Sequence, residues 1–128
     1  MSKELRYRSI KEMLSLLDSS KKIYKNYLSD GRKFLYAKDL RSINEKIVNL
    51  INTQKFEKDE VLKPAFQNLK KHLEEWICAW DREKINKTPN DNDKFTFSGY
   101  RTYPKYLDKL LISHLENMTN RGGLVNYE

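Results

Sequence analysis

The sequence predicts an all-α protein: a small antiparallel bundle of about four helices, with an irregular aromatic loop before the last helix. Three observations predict it. Apolar residues recur at three-and-four spacing over four separate segments, the spacing that lines one face of a helix. Only four Gly and three Pro interrupt 128 residues, too few for a loop-rich or all-β chain. Turn chemistry is confined to a few places, so the connections are mostly short and neighbouring helices pack antiparallel. The length fits one domain, and a chain of this size buries roughly two thirds of its unfolded surface.

The first helix spans about residues 3–28, with Ile10, Met13, Leu14, Leu17, Tyr24, Tyr27 and Leu28 as its stripe. Ser9-x-x-Glu12 matches a capping box, so a start at Ser9 stays open. Asp30-Gly31 ends the helix, because glycine accepts the left-handed backbone of a C-cap. A second helix covers about 32–52 on Tyr36, Leu40, Ile43, Ile47, Leu50 and Ile51; alternatively Asp39 caps it and residues 32–38 are irregular. The third, about 59–84, carries Leu62, Phe66, Leu69, Leu73, Trp76, Ile77 and Trp80, with Pro64 in its first turns, where a missing N–H does least harm. Residues 86–102 break the pattern: Thr88-Pro89-Asn90-Asp91-Asn92-Asp93 is turn chemistry and Phe95-Thr96-Phe97 alternates like a short strand. The last helix runs over about 104–120, with Pro104 suited to its first position and Gly122-Gly123 beyond its end. The tail, Leu124-Val125-Asn126-Tyr127, is apolar enough to dock on the bundle.

No apolar stretch approaches the roughly 20 residues of a membrane span, and no apolar segment follows the charged start as in a signal peptide. Cys78 is the single cysteine, which excludes an internal disulfide and a multi-cysteine zinc site. A cytoplasmic protein without a membrane partner is the expectation. The net charge of +7 is lopsided: residues 1–56 hold 13 Lys/Arg against 6 Asp/Glu, and residues 57–128 hold 12 against 12. The excess positive charge in the first half points to an acidic or anionic partner on that side.

Two groups of residues carry that expectation further. Arg8, Lys11, Lys22 and Lys25 fall on one face of the first helix, and Lys21, Arg32, Lys33 and Lys38 extend the charge past the turn, with Tyr24, Tyr27 and Tyr36 among them. Basic residues interleaved with aromatics hold phosphates and stack bases, while the plainer reading is a solvated helix face. The second group is the aromatic segment from Phe95 to Tyr106, five aromatics in twelve residues. Phe95 and Phe97 are expected to turn inward and plug the bundle end. Tyr100, Arg101 and Tyr103, with Lys105, are expected to face a partner, since aromatics and Arg anchor interfaces at low entropic cost.

Trp76 and Trp80, one turn apart, read as core, with Cys78 between them as a small buried hydrophobe. His72 and His114 stand apart, with no metal-ligand spacing, and structural roles are expected for them. The oxygens of Asn86 to Asp93 lack the Gly and terminal Glu of a calcium loop and read as a solvated turn. No Gly-rich phosphate loop and no nucleophile elbow is present, so no catalytic residue, metal or cofactor is assigned. In size and helical build the chain is similar to small bacterial immunity proteins, antitoxins and phage-encoded inhibitors, a likeness of type that no motif carries. The expected function is a non-catalytic protein-interaction module, a small regulator, immunity protein or inhibitor that occludes a protein partner. The alternative is a nucleic-acid-binding helical protein using the basic first half. A homodimer is compatible with either.

Overall fold

The computed structural model describes residues 3–54, 60, 62–97 and 107–120. Four helices follow in order: α1 (Lys3–Ser29), α2 (Phe34–Gln54), α3 (Lys63–Lys87) and α4 (Leu107–Asn120). They form the all-α bundle expected from the spacing. The start of α1 leaves Ser9 inside the helix, where it is buried, so Ser9-x-x-Glu12 is not its cap. Asp39 likewise lies inside α2, and the residues before it are helical from Phe34 onward. Pro64 falls in the first turn of α3, where its ring costs no hydrogen bond.

The chain reverses between α1 and α2 over a tight turn. Gly31 sits at φ 81°, and the Arg32 N–H reaches back to the Tyr27 carbonyl at 2.7 Å, the long closing bond of a Schellman cap. The two helices therefore lie side by side and antiparallel: Tyr27 meets Phe34 and Ala37 at one end, and Ile10 and Met13 meet Ile47 and Ile51 at the other. α3 returns along α2, its early residues joining the second group and its Trp76 and Trp80 the first. α4 runs against α1, with Asp108 ion-paired to Lys21 and His114 beside Arg6.

The core divides into two clusters. One is mainly aliphatic and draws on all four helices: Met13, Leu17, Ile47, Leu69, Leu107 and Leu111 are at most 1% exposed. The other is aromatic, built from Tyr27, Phe34, Trp76, Trp80 and Phe95 around Ala37 and Leu40. α4 supplies nothing to it among the described residues. Its place is taken by residues 88–97, an irregular strap that leaves α3 and crosses to the α1–α2 turn.

Helix lengths explain one departure from the sequence pattern. Twenty-seven residues of α1 extend about 40 Å, whereas fourteen of α4 extend about 21 Å. α4 spans α1 from Arg6 to Lys21 and leaves the last turns of α1 without a described neighbour on that side. Tyr24 and Leu28, part of the apolar stripe, are consequently 46% and 42% exposed. Cys78 also departs from expectation: it lies on the outer face of α3 and is exposed, because the core face there is taken by Leu73, Trp76 and Trp80.

Candidate functional site

The strap is held to the start of α2 by backbone bonds. A helix begins with N–H groups that have no partner inside the helix. In α2 two of these are satisfied by the strap: Phe34 N–H donates to the Asp93 carbonyl at 2.7 Å and Leu35 N–H to the Asp91 carbonyl at 3.0 Å. Lys33 and Lys94 form an antiparallel bridge, and Phe95 N–H donates to the Arg32 carbonyl at 2.9 Å. The Tyr27 hydroxyl donates to the Phe95 carbonyl. Burial raises the Tyr27 hydroxyl pKa above the ordinary phenol value, with the Arg32 guanidinium opposing, so it remains a donor at neutral pH.

The strap folds on itself as well. Asp93 N–H donates to the Asn90 carbonyl at 3.0 Å, and the Asp93 carboxylate accepts the Asn90 N–H at 2.8 Å. The Asp91 carboxylate accepts from Lys38 Nζ at 2.6 Å. The turn read from Asn90 to Asp93 is thus a clasp, and its side chains are exposed while its carbonyls face the helix start. Two residues outside glycine have left-handed backbone among the described residues, Arg32 at φ 56° and Thr88 at φ 40°. Both border the strap. Both are helix ends: Arg32 closes the cap of α1 on the Tyr27 carbonyl, and Thr88 is the C-cap of α3, its N–H on the Lys84 carbonyl at 3.2 Å.

Phe95 is the strap's buried side chain, 2% exposed. It meets Trp76 edge-on at 5.4 Å and Phe34 edge-on at 6.3 Å. Phe34 in turn stacks on Trp80 at 5.1 Å with the rings 5° from parallel. Phe97 is half-buried and lies edge-on to His72 at 5.9 Å. The inward placement of both phenylalanines follows the pattern read from sequence. Trp80 is rimmed by cations, Arg41 at 5.6 Å and Lys84 at 5.3 Å from its ring. Arg41 forks onto Asp81 with bonds of 3.0 and 3.2 Å and also pairs with Glu45, which raises its pKa further. The Trp80 indole N–H is buried and has no acceptor among the described residues.

The basic residues singled out in the sequence are spread over more than one surface. Arg8, Lys11, Lys22 and Lys25 are exposed on α1, facing away from the core. Lys11 lies 5.2 Å from the Tyr7 ring. Lys22 pairs with Asp18 at 3.1 Å, and Lys21 pairs with Asp108 of α4. Lys33 pairs with Asp30 at 3.4 Å, beside a 2.8 Å bond from the Tyr36 hydroxyl. Those two contacts, the Tyr36 bond first, hold the Asp30 carboxyl below its usual range. Lys38 is engaged by Asp91, and Arg32 packs over Tyr27 at 6.0 Å. Lys25 is exposed between Tyr24 and Leu28 in sequence, one step around the same helix.

Tyr100, Arg101, Tyr103 and Lys105 lie outside the described residues, as do Pro104 and the tail from Leu124 to Tyr127. The sequence pattern did not reveal the bonds of Asp91 and Asp93 to the start of α2, nor the exposure of Tyr24 and Leu28. The unequal helix lengths were a usable signal for the pair, since the fourth stripe is much shorter than the first. The clasp had no signal beyond turn composition. Among the described residues no group of three His, Cys, Asp or Glu side chains is placed to hold a metal, and no helix is long and apolar enough to cross a membrane. Comparison with protein-family models, with curated proteins and with solved structures finds no match.

Proposed function

We propose that this chain is a non-catalytic protein-interaction module that binds and occludes an acidic protein partner, in the manner of a small regulator, immunity protein or inhibitor. The observation that carries this reading is the exposed pair Tyr24 and Leu28, one turn apart on α1, with Lys25 exposed on the same side of the helix. An aromatic and an aliphatic anchor beside an ammonium group suit an acidic protein surface. Tyr100, Arg101, Tyr103 and Lys105 offer further anchors by residue type.

The nucleic-acid reading is weaker on the same surfaces. Lys21, Lys22, Lys33 and Lys38 each face a carboxylate of the chain itself, so each phosphate contact must first displace an internal partner. Phosphate affinity also rests on many unpaired cations acting together.

The test is capture of tagged protein from its host with and without nuclease, run for wild type and for Leu28→Glu. One protein recovered in near-equal amount, indifferent to nuclease and lost with Leu28→Glu, supports the proposal. Recovery of nucleic acid, with a steep loss on raising salt and on Lys22→Glu/Lys25→Glu, replaces it with the alternative. A dimeric mass by light scattering, reduced to the monomer by Leu28→Glu, assigns the pair to a second copy instead.

A further inference from the structure

The face of α1 that carries Tyr24 and Leu28 is covered lower down by the chain's own α4, and that contact shows what the face accepts. At 3.6 residues per turn, Leu14, Leu17, Lys21, Tyr24, Lys25 and Leu28 fall within about 100° of one another. Leu107 and Leu111 of α4, one turn apart and 0% exposed, join the cluster that includes Leu14 and Leu17. Asp108, next to the first of them, is ion-paired with Lys21. The contact is therefore an apolar pair at i and i+4, with a carboxylate at i+1 that answers a lysine beside the apolar stripe.

Further along, α1 repeats the arrangement without the cover. Tyr24 and Leu28 are again an apolar pair one turn apart, and both are exposed. Lys25 follows Lys21 by one turn, is exposed, and meets no carboxylate among the described residues. Its neighbours are answered: Lys21 by Asp108 and Lys22 by Asp18. Residues 22–29 extend about 12 Å, the length of two turns of helix.

We propose that this face takes an amphipathic helix of the protein partner, packed as α4 packs, with two apolar residues one turn apart on Tyr24 and Leu28 and an Asp or Glu beside the first of them on Lys25. A helix laying its apolar side on such a face is a recurring mode of recognition, and the unanswered lysine selects an acidic one. The inference rests on the reading of Tyr24 and Leu28 as a docking surface and adds the chemistry of what docks.

The probe is a peptide with the sequence of residues 107–120, stapled between positions 109 and 113 to hold it helical, since both positions are exposed on α4. Its Leu107, Asp108 and Leu111 present the pattern. It is titrated onto the full, isotope-labelled chain and read by amide chemical shifts. The expected result is a saturable shift centred on Tyr24, Lys25 and Leu28, abolished by Leu28→Glu and weakened about fivefold by Lys25→Glu, the size of effect an exposed ion pair gives. A peptide carrying Asp108→Lys regains that loss on Lys25→Glu. No saturable shift, an affinity unmoved by Lys25→Glu, or shifts centred on Arg6 and Ile10, where α4 itself lies, overturns the proposal. Shifts at Tyr24 and Leu28 on diluting the chain alone assign the face to a second copy and overturn it as well. A host partner lost with Leu28→Glu but kept in full with Lys25→Glu removes this inference and leaves the reading of the surface standing.

Discussion

The two ends of the bundle are built on different terms. At the aliphatic end four helices converge, and the core is filled by many medium-sized side chains such as Leu17, Ile47, Leu69 and Leu111, each nearly inaccessible. At the aromatic end the described residues come from three helices and a strap, and the large side chains Phe34, Trp76, Trp80 and Phe95 fill the space between them. A buried aromatic side chain covers about 150–250 Å², so a few of them fill as much core as many aliphatic ones. The cost is a reliance on orientation. Rings meet edge-on or stacked, and the strap that delivers Phe95 is positioned by named hydrogen bonds rather than by a helix of its own. Stability at one end is distributed; at the other it is concentrated in a few residues.

That contrast can be broken most directly at Phe95. Phe95→Ala is expected to cost about 3–5 kcal/mol, as buried aromatic truncations do, whereas Ile47→Val at the aliphatic end is expected to cost about 1 kcal/mol. Urea denaturation followed by tryptophan fluorescence and by circular dichroism checks both. Coincident transitions in Phe95→Ala would show that the ends unfold together and that the division is one of composition alone.

The turn that receives the strap comes next. Gly31→Ala meets no atom within 4 Å of the added carbon, so its effect isolates the backbone at φ 81°. A loss of about 1 kcal/mol is expected. A double-mutant cycle on Arg41 and Asp81 should give a coupling of about 1 kcal/mol or less, since both side chains are partly solvated despite the forked geometry. A coupling well above that would mean that the cation over Trp80 stiffens the aromatic end more than a surface pair can. Thr88→Gly tests the opposite sign: relief of the left-handed β-branched residue should stabilise by up to about 1 kcal/mol, after the entropic cost of glycine is subtracted.

The smallest expected effect belongs to the aliphatic end, through pH. Burial, and then the Arg6 charge, push the His114 pKa below its ordinary value in the folded chain. The neutral imidazole is the form that packs, so its contribution is fully present above the unfolded value of about 6.5 and is lost as pH falls through the lower folded value. Thermal unfolding at pH 7.5 and at pH 5 should show a drop that His114→Gln reduces. An unchanged pH dependence in that variant would move its source away from the α1–α4 contact.

Much of the helix pattern was legible because helical burial is periodic. The stripes through Ile10, Met13 and Leu17, through Ile47 and Ile51, and through Leu69, Leu73 and Trp76 are local records of which face is buried, and the structure buries those faces. Helix starts were less legible. The start of α2 shows no capping side chain in sequence, since the Phe34 N–H is satisfied by the Asp93 carbonyl, distant along the chain, and Asp39 looked like a cap for want of that knowledge.

By itself, then, the sequence determined the all-α class, the helices, the Gly31 turn and the inward ends of Phe95 and Phe97, all of which follow from local spacing and backbone chemistry. Only the tertiary structure decided that lysines on the basic half face the chain's own carboxylates, that Tyr24 and Leu28 outrun α4, and that Asp91 and Asp93 clasp α2. Each depends on which surfaces meet across long stretches of chain, and periodicity records that a face is buried without recording what buries it.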